Sequence, residues 1–246
     1  MAQDIRNSPR LEKLAYFSCS RIHLGLQEAL LELLEKHGPK GGTLLDIGCW
    51  DGVHTMKYAG VVQAVRVLGL EGFPEQAALA QKNGVDVHLG NIELIPFPLA
   101  TASVDVAVCN QVFEHLKDVF KPMDEIARTM KPGGIFLFSV PNLASLHNRL
   151  LLLLGMQPTC IRVFGPHVRS FTLKEFIIFS VAGGLFELVE VRGVGFYPFP
   201  PKFLGNVFSN LWKSACHTPI LVLRRTAATE FSYVQEYARQ GEQTLI

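Results

Sequence analysis

Between residues 43 and 140 the chain alternates short, mainly apolar runs with stretches of helical pattern. The apolar runs cover residues 43–47, 64–70, 85–89, 104–109 and 135–140. The helical stretches lie near residues 53–60, 74–83 and 121–130. Strands that are apolar throughout are buried on both faces, and parallel strands need helical connections between them. The alternation therefore predicts a doubly wound α/β sheet with right-handed crossovers.

The composition and charge of the chain argue against several classes of protein. Hydrophobic residues make up 48% of the chain and its formal net charge is +1, so we expect one large core and no extended nucleic-acid interface. The longest aliphatic run, residues 150–154, is too short for a transmembrane segment, although peripheral membrane contact stays open. The five cysteines are scattered without a CxxC pair, which predicts reduced thiols, a cytoplasmic location and no metal. The oligomeric state is not predicted.

The stretch 45–52, Leu-Asp-Ile-Gly-Cys-Trp-Asp-Gly, joins an apolar strand to a helix through a turn that contains Gly48. Glycine permits positive φ and close approach of a ligand, and the following helix N-terminus offers free N–H groups. Glu71 ends the next run, at the spacing of an acid that binds a ribose. Either feature alone also fits an ordinary turn or a solvated strand end. Together they predict a nucleoside site.

These motifs resemble those of the class I S-adenosylmethionine-dependent methyltransferases, and the resemblance spans about residues 44–191. Trp50 stands where the family's first motif has its middle glycine, and residues 105–116 and 131–134 match the fourth strand and the turn into the fifth. The resemblance implies that the cofactor is S-adenosyl-L-methionine. The residues it assigns to the cofactor are Asp46, Gly48, Cys49, Trp50, Gly52, Glu71, Gly72, Phe73, Asn91, Ile92 and Asn110.

The same resemblance implies a Rossmann-like sheet of about seven strands with the last strand antiparallel. It also implies N-terminal helices and a helical lid insertion. We treat residues 1–246 as a single domain. Its expected segments are N-terminal helices (1–42), a cofactor-binding half (43–141), a lid insertion (142–171), a C-terminal half (172–225) and a tail (226–246), either a short helix or loose chain.

The acceptor is expected to be a small molecule, a lipid or a glycan that is methylated at oxygen, as the resemblance implies. Displacement from a sulfonium needs alignment and exclusion of water, and a hydroxyl acceptor also profits from a base. His115 is the first candidate base and His167, with Arg169, the second candidate group. Each candidate has a structural alternative. His115 could pack or cap its helix while Glu114 is solvated. His167 and Arg169 could fasten the insertion to the rest of the domain. The apolar residues 150–154, 164 and 196–199 are expected to wall an apolar acceptor site if the insertion folds back, and ordinary core packing is the alternative for each of them.

Two other functions stay open. A non-catalytic module that binds S-adenosylmethionine would also explain the departures at Trp50 and Asn91. An NAD-dependent oxidoreductase needs a similar glycine turn and acid. However, Trp50 breaks the Gly-x-Gly-x-x-Gly pattern and no Tyr-x-x-x-Lys pair occurs, so this third function is the least favoured.

Overall fold

Seven strands form one sheet in the order β3-β2-β1-β4-β5-β7-β6. This computed structural model describes residues 24–197, 199 and 205–243. Strands β1 to β5 pair in parallel, and β7 runs antiparallel to both of its neighbours. The strands are β1 Thr43–Ile47, β2 Arg66–Glu71, β3 Asp86–Leu89, β4 Val104–Asn110, β5 Met130–Ser139, β6 Phe186–Val194 and β7 Thr218–Arg225. The predicted seven-stranded sheet with an antiparallel last strand is confirmed.

Helices connect the strands in the predicted alternation. After α1, described over residues 24–37, they are α2 Val53–Val62, α3 Pro74–Lys82, α4 Phe120–Thr129, α5 Leu146–Leu153, α6 Leu173–Ser180, α7 Asn206–Leu211 and α8 Tyr233–Gln243. A 3-10 turn, Phe113–His115, follows β4. The predicted start of the N-terminal helices lies outside the described residues. No helix in the described part of the chain combines the length and apolar character needed to span a membrane.

The two faces of the sheet are covered by different helices because side chains alternate along each strand. Leu44 packs with α1 and α2 on one face. Its neighbour Leu45 packs on the other face in the cluster that includes Met123 of α4 and Phe176 of α6. Both strand residues are fully buried. The continuous apolar runs of the sequence thus correspond to strands buried on both sides.

Strand β5 begins earlier than the sequence predicts. Val104 pairs with Met130 and Val106 with Ile135, so residues 131–134 bulge out of the ladder instead of forming a separate turn. A Cβ at Gly134 would lie 3.0 Å from the carbonyl oxygen of Asp105, which explains a glycine at this close approach. The bulge stands at the amino end of the parallel strands, away from their carboxyl ends.

The C-terminal segment ends in a helix that is fastened to α4. The Asp124 carboxylate accepts hydrogen bonds from the Tyr233 backbone N–H at 2.7 Å and from the Ser232 hydroxyl at 2.7 Å. The rings of Phe120 and Tyr237 stack at 4.3 Å between centroids. Of the two expectations for the tail, the helix is the one observed.

Replacing this carboxylate tests how α8 is held. We expect Asp124→Ala to cost about 1–2 kcal/mol of local stability, because it removes the acceptor at the start of the helix. Hydrogen exchange should accelerate across residues 233–243 while the sheet stays protected. Glu230→Ala, an exposed change in the same connection, is the matched control. Unchanged exchange in Asp124→Ala would show that packing alone holds α8.

Candidate functional site

A cavity of about 950 Å³ opens at the carboxyl ends of β1, β2 and β4. The strand order reverses beside β1, and ligands of open α/β sheets bind at such a reversal. The volume lies near the upper end of the range of roughly 300–1,000 Å³ for ligand sites. Gly48 and Glu71 both line this cavity. The two features that predicted a nucleoside site therefore face the same space.

All but one of the predicted cofactor residues line the cavity. These residues are Asp46, Gly48, Cys49, Trp50, Glu71, Gly72, Phe73, Asn91, Ile92 and Asn110. Gly52 does not line it. A Cβ at Gly52 would lie 3.0 Å from the Cα of Ala80, so this glycine, at φ 78°, allows the start of α2 to pack against α3. Its place in the first motif reflects packing between helices.

The turn after β1 keeps the path of a glycine turn although it carries a tryptophan. Trp50 adopts φ 51°, a left-handed conformation that costs a non-glycine residue about 1–2 kcal/mol. Gly48 adopts φ 76°, and a Cβ there would lie 2.5 Å from a methyl group of Val112. The Trp50 ring is half-exposed and stands edge-on to Phe73, with centroids 5.9 Å apart. The two rings form an aromatic rim on the cavity.

Glu71 joins the turns that follow the first two strands. Its carboxylate is buried and accepts hydrogen bonds from the backbone N–H groups of Trp50 at 2.8 Å, Gly72 at 2.8 Å and Phe73 at 2.9 Å. A carboxylate has about four acceptor positions, so one remains, on the oxygen that faces Trp50. The alternative that Glu71 is a solvated strand end is wrong.

The N–H groups of the turn after β1 are bonded within the protein. Those of Gly48 and Cys49 donate to the carbonyl oxygen of Leu70, at 2.8 Å and 3.2 Å. That of Trp50 donates to Glu71. The turn is therefore held to β2. The predicted free N–H groups belong to the start of α2, which begins at Val53, and they stay a prediction.

Asp46 brings a second buried carboxyl to the cavity. It accepts a hydrogen bond of 2.6 Å from the Thr55 hydroxyl. Burial, and then the charge of Glu71, raise the pKa of Asp46 to about 7. Burial and the charge of Asp46 raise the pKa of the Cys49 thiol to about 12, so this cysteine stays neutral. Two acids on one wall favour a positively charged ligand.

The opposite end of the cavity is lined by Gln111, Val112, His115 and Leu116 after β4, and by Pro166 of the insertion. The His115 Nδ1 lies 3.3 Å from the Pro166 carbonyl oxygen, and its ring centroid is 4.7 Å from that of His167. Burial lowers the pKa of His115. His167 bonds through Nδ1 to the Cys160 carbonyl oxygen at 2.8 Å and does not line the cavity.

Arg169 fastens the insertion, which is the structural alternative given for it above. Its guanidinium donates to the carbonyl oxygen of Lys117 at 2.8 Å and lies 5.8 Å from the Phe120 ring centroid. The backbone N–H of Val168 donates to the Glu114 carbonyl oxygen at 2.8 Å. These contacts fasten the insertion to the segment after β4.

Glu114 is the site residue that the sequence reasoning missed. It was expected to be solvated, but it is 2% exposed, and burial raises its pKa to about 8. Its Oε2 has no hydrogen-bond partner among the described residues. Glu114, His115 and His167 each offer a ligand atom within 4.8 Å of the others. Glu114 lies against the insertion, whose Val168 N–H donates to its carbonyl oxygen. The Glu-His pair in the sequence does not predict this contact.

The apolar residues of the insertion do not wall the cavity as expected. Leu153 at the end of α5 and Leu154 directly after it are 82% and 72% exposed, and Phe164 is fully exposed. None of residues 150–154, 164, 196, 197 and 199 lines the cavity in the described structure. In their place, Gln27 of α1 and Tyr58 of α2 close the wall on the side of Asp46. Neither residue belongs to a motif, so neither could be predicted to line the cavity.

Comparison with known proteins identifies a methyltransferase family and several methyltransferase relatives. A family model described as a methyltransferase domain matches residues 20–177. A protein from Mycolicibacterium smegmatis, named as a probable S-adenosylmethionine-dependent methyltransferase, is 38% identical over 110 residues, which cover 43% of this chain and 40% of that protein. The malonyl-(acyl-carrier protein) O-methyltransferase of Yersinia pestis is 30% identical over 125 residues, 51% of this chain and 45% of that protein. The chain spans less than half the length of these curated relatives.

Among solved structures, geranyl diphosphate C-methyltransferase from Streptomyces coelicolor has a similar fold, with a TM-score of 0.55. It is 15% identical, and the match covers 82% of this chain and 81% of that one. Its crystals contain S-adenosyl-L-homocysteine, Mg²⁺ and geranyl diphosphate. At this identity the likeness establishes the fold alone.

Asp46→Asn tests the buried carboxyl of the cavity. Between pH 4 and 7 the folded protein keeps a proton that the unfolded chain has released, so Asp46 lowers stability as pH rises. The gap between pKa 3.8 and about 7 corresponds to about 4 kcal/mol. Urea unfolding should therefore show the variant gaining stability over the wild type from pH 4 to pH 8. Asp51→Asn, in the same turn, is the control, and equal pH profiles for wild type and Asp46→Asn would contradict the prediction.

Proposed function

Because this chain belongs to the methyltransferase domain family, we propose that it binds S-adenosyl-L-methionine in the cavity and transfers the methyl group to a hydroxyl oxygen. The observation that carries the proposal is that Gly48 and Glu71 line one cavity at the reversal of the strand order. A nucleoside with a charged tail needs a close approach to the backbone at one point and a ribose acceptor at another. Both stand on the same wall.

The proposed cofactor position follows from the charges and acceptors of that wall. The ribose hydroxyl donates to the remaining acceptor position of Glu71, and the adenine lies beside Phe73, Ile92 and Asn91. The amino and sulfonium groups carry positive charge, which the carboxyl of Asp46 favours. The methyl group then points toward the end of the cavity that His115 lines.

The proposed reaction is an in-line displacement. The acceptor oxygen attacks the methyl carbon while the bond from carbon to sulfur breaks and its electron pair stays on sulfur. The protein's task is to align the three atoms and to exclude water. His115 is the side chain that reaches the acceptor, and His167, in contact with it, is proposed as a positioning residue. One relative is named as an O-methyltransferase, which supports oxygen as the acceptor atom.

Among the acceptor classes, the exposed surface favours a lipid. Leu153 and Leu154 are exposed where α5 ends, and Leu211 and Trp212 are exposed where α7 ends. The Arg149 guanidinium lies 5.5 Å from the Trp212 ring centroid, which places the two helices side by side. An apolar surface that carries a cation suits the interface of an anionic membrane. We therefore propose a cytoplasmic protein that contacts the membrane peripherally, a contact that the sequence analysis left open.

Cofactor binding is tested at Glu71. We expect calorimetry to show binding of S-adenosyl-L-homocysteine that weakens about 10- to 100-fold in Glu71→Ala, because a charge-assisted hydrogen bond is worth about 1.5–3 kcal/mol. Glu75→Ala, on the exposed side of α3, is the matched control. Far-UV circular dichroism checks that the variant folds. Wild-type affinity in a folded Glu71→Ala protein would overturn the proposed position.

Methyl transfer is tested with isotopically methyl-labelled donor in cell extract. We expect the label to appear in a product that partitions into organic solvent, and mass spectrometry identifies it. A labelled product that stays in the aqueous phase contradicts the lipid class but supports methyl transfer. If the protein binds the donor and all label remains on it, the second candidate, a non-catalytic module, is favoured. The strained Trp50 and the engaged N–H groups of the turn are the observations that keep this candidate.

A further inference from the structure

We propose that Glu114, His115 and His167 form a binding site for a divalent transition-metal ion at the acceptor end of the cavity. Two imidazoles and one carboxylate are a ligand set used for zinc and for other ions of the first transition row. His115 lines the cavity, whereas Glu114 is buried behind it. An ion held by the three would therefore have its open coordination positions on the side of the acceptor.

The distances between the ligand atoms fit an ion after a small movement. The three atoms lie within 4.8 Å of one another. In a tetrahedral site, two ligand atoms on bonds of roughly 2.1 Å are about 3.4 Å apart. The longest of these separations therefore has to contract by at most about 1.4 Å. The exposed His115 ring can supply this movement by a change of rotamer.

The hydrogen bonds of the two histidines leave a nitrogen free to bind a metal. Each ring lies with Nδ1 against a backbone carbonyl oxygen, that of Pro166 for His115 and that of Cys160 for His167. A carbonyl only accepts, so Nδ1 carries the proton in both rings. The Nε2 lone pair of each ring is then available. Histidine ligands of metals commonly donate their other N–H to such a carbonyl.

Glu114 supplies an independent observation. Its side chain is 2% exposed, and the Oε2 atom has no hydrogen-bond partner in the described structure. A buried carboxylate oxygen without a partner is costly unless a cation or a donor compensates it. No lysine or arginine among the described residues forms an ion pair with Glu114. A bound cation would satisfy this atom.

For the proposed reaction, on which this step rests, the ion gives the acceptor a place to bind. A hydroxyl oxygen that coordinates a divalent cation loses its proton more easily. The proton of such a hydroxyl would pass to solvent water, and the oxygen would keep the electron pair that forms the new bond to the methyl carbon. His115 and His167 then act as ligands, and no separate base is required.

The test uses the full chain without an affinity tag. Titration with Co²⁺, followed by visible absorption, should show one site per chain, and Zn²⁺ should displace the ion. We expect Glu114→Gln and His167→Ala to weaken Co²⁺ binding at least about 100-fold, because the loss of a ligand exceeds the roughly 10- to 100-fold cost of losing an outer contact. His88→Ala, on the edge strand β3, is the control and should bind as the wild type does.

Several outcomes would overturn the site. These are the absence of stoichiometric binding, wild-type binding by a folded Glu114→Gln protein, or an equal loss in His88→Ala. Calorimetry with S-adenosyl-L-homocysteine on the same preparations separates this inference from the proposed function. Nucleoside binding without metal binding contradicts only the metal site. Metal binding without nucleoside binding supports the metal site and contradicts the proposed function.

Discussion

The carboxylate of Glu71 is the contact on which the geometry of the cavity depends. It accepts N–H groups from the turn after β1 and from the turn after β2, so the two walls that meet at the cavity are fixed to each other. Because it is buried, these charge-assisted bonds are shielded from competition by water. The strained conformation of Trp50 persists because Glu71 holds its N–H. Shape and recognition at this site therefore rest on the same side chain.

Much of this arrangement could be predicted because it follows from local patterns. Continuous apolar runs locate the strands, and Gly48 and Glu71 follow directly on two of them. What escaped prediction depends on contacts between distant segments. Gly52 has the spacing of a ligand contact but allows α2 to pack closely against α3. Glu114 has the appearance of a solvated residue, yet it is buried, and residues 168 and 169 of the insertion bond to its carbonyl oxygen. The start of β5 was missed because a bulge containing Pro132 and two glycines resembles a turn.

Two buried acids lie near opposite ends of the cavity: Asp46 lines it, and Glu114 is buried behind His115. Burial raises the pKa of each, so each destabilises the fold at neutral pH unless a positive charge accompanies it. Folded proteins keep such costs mainly where function uses them. At one end the compensating charge is proposed to belong to the methyl donor, and at the other to a metal ion. The acids thus divide the cavity into a donor side and an acceptor side.

The half-exposed ring of Trp50 gives the molecule an optical property. The chain contains two tryptophans, and the other, Trp212, belongs to the neighbourhood of α5 and α7. An indole at the rim of a cavity passes from water to a less polar contact when the space beside it fills. Its emission is then a built-in reporter of occupancy, and replacing Trp212 with phenylalanine would isolate that signal. Trp50, which replaces the middle glycine of the first motif, thus allows ligand binding to be followed by intrinsic fluorescence.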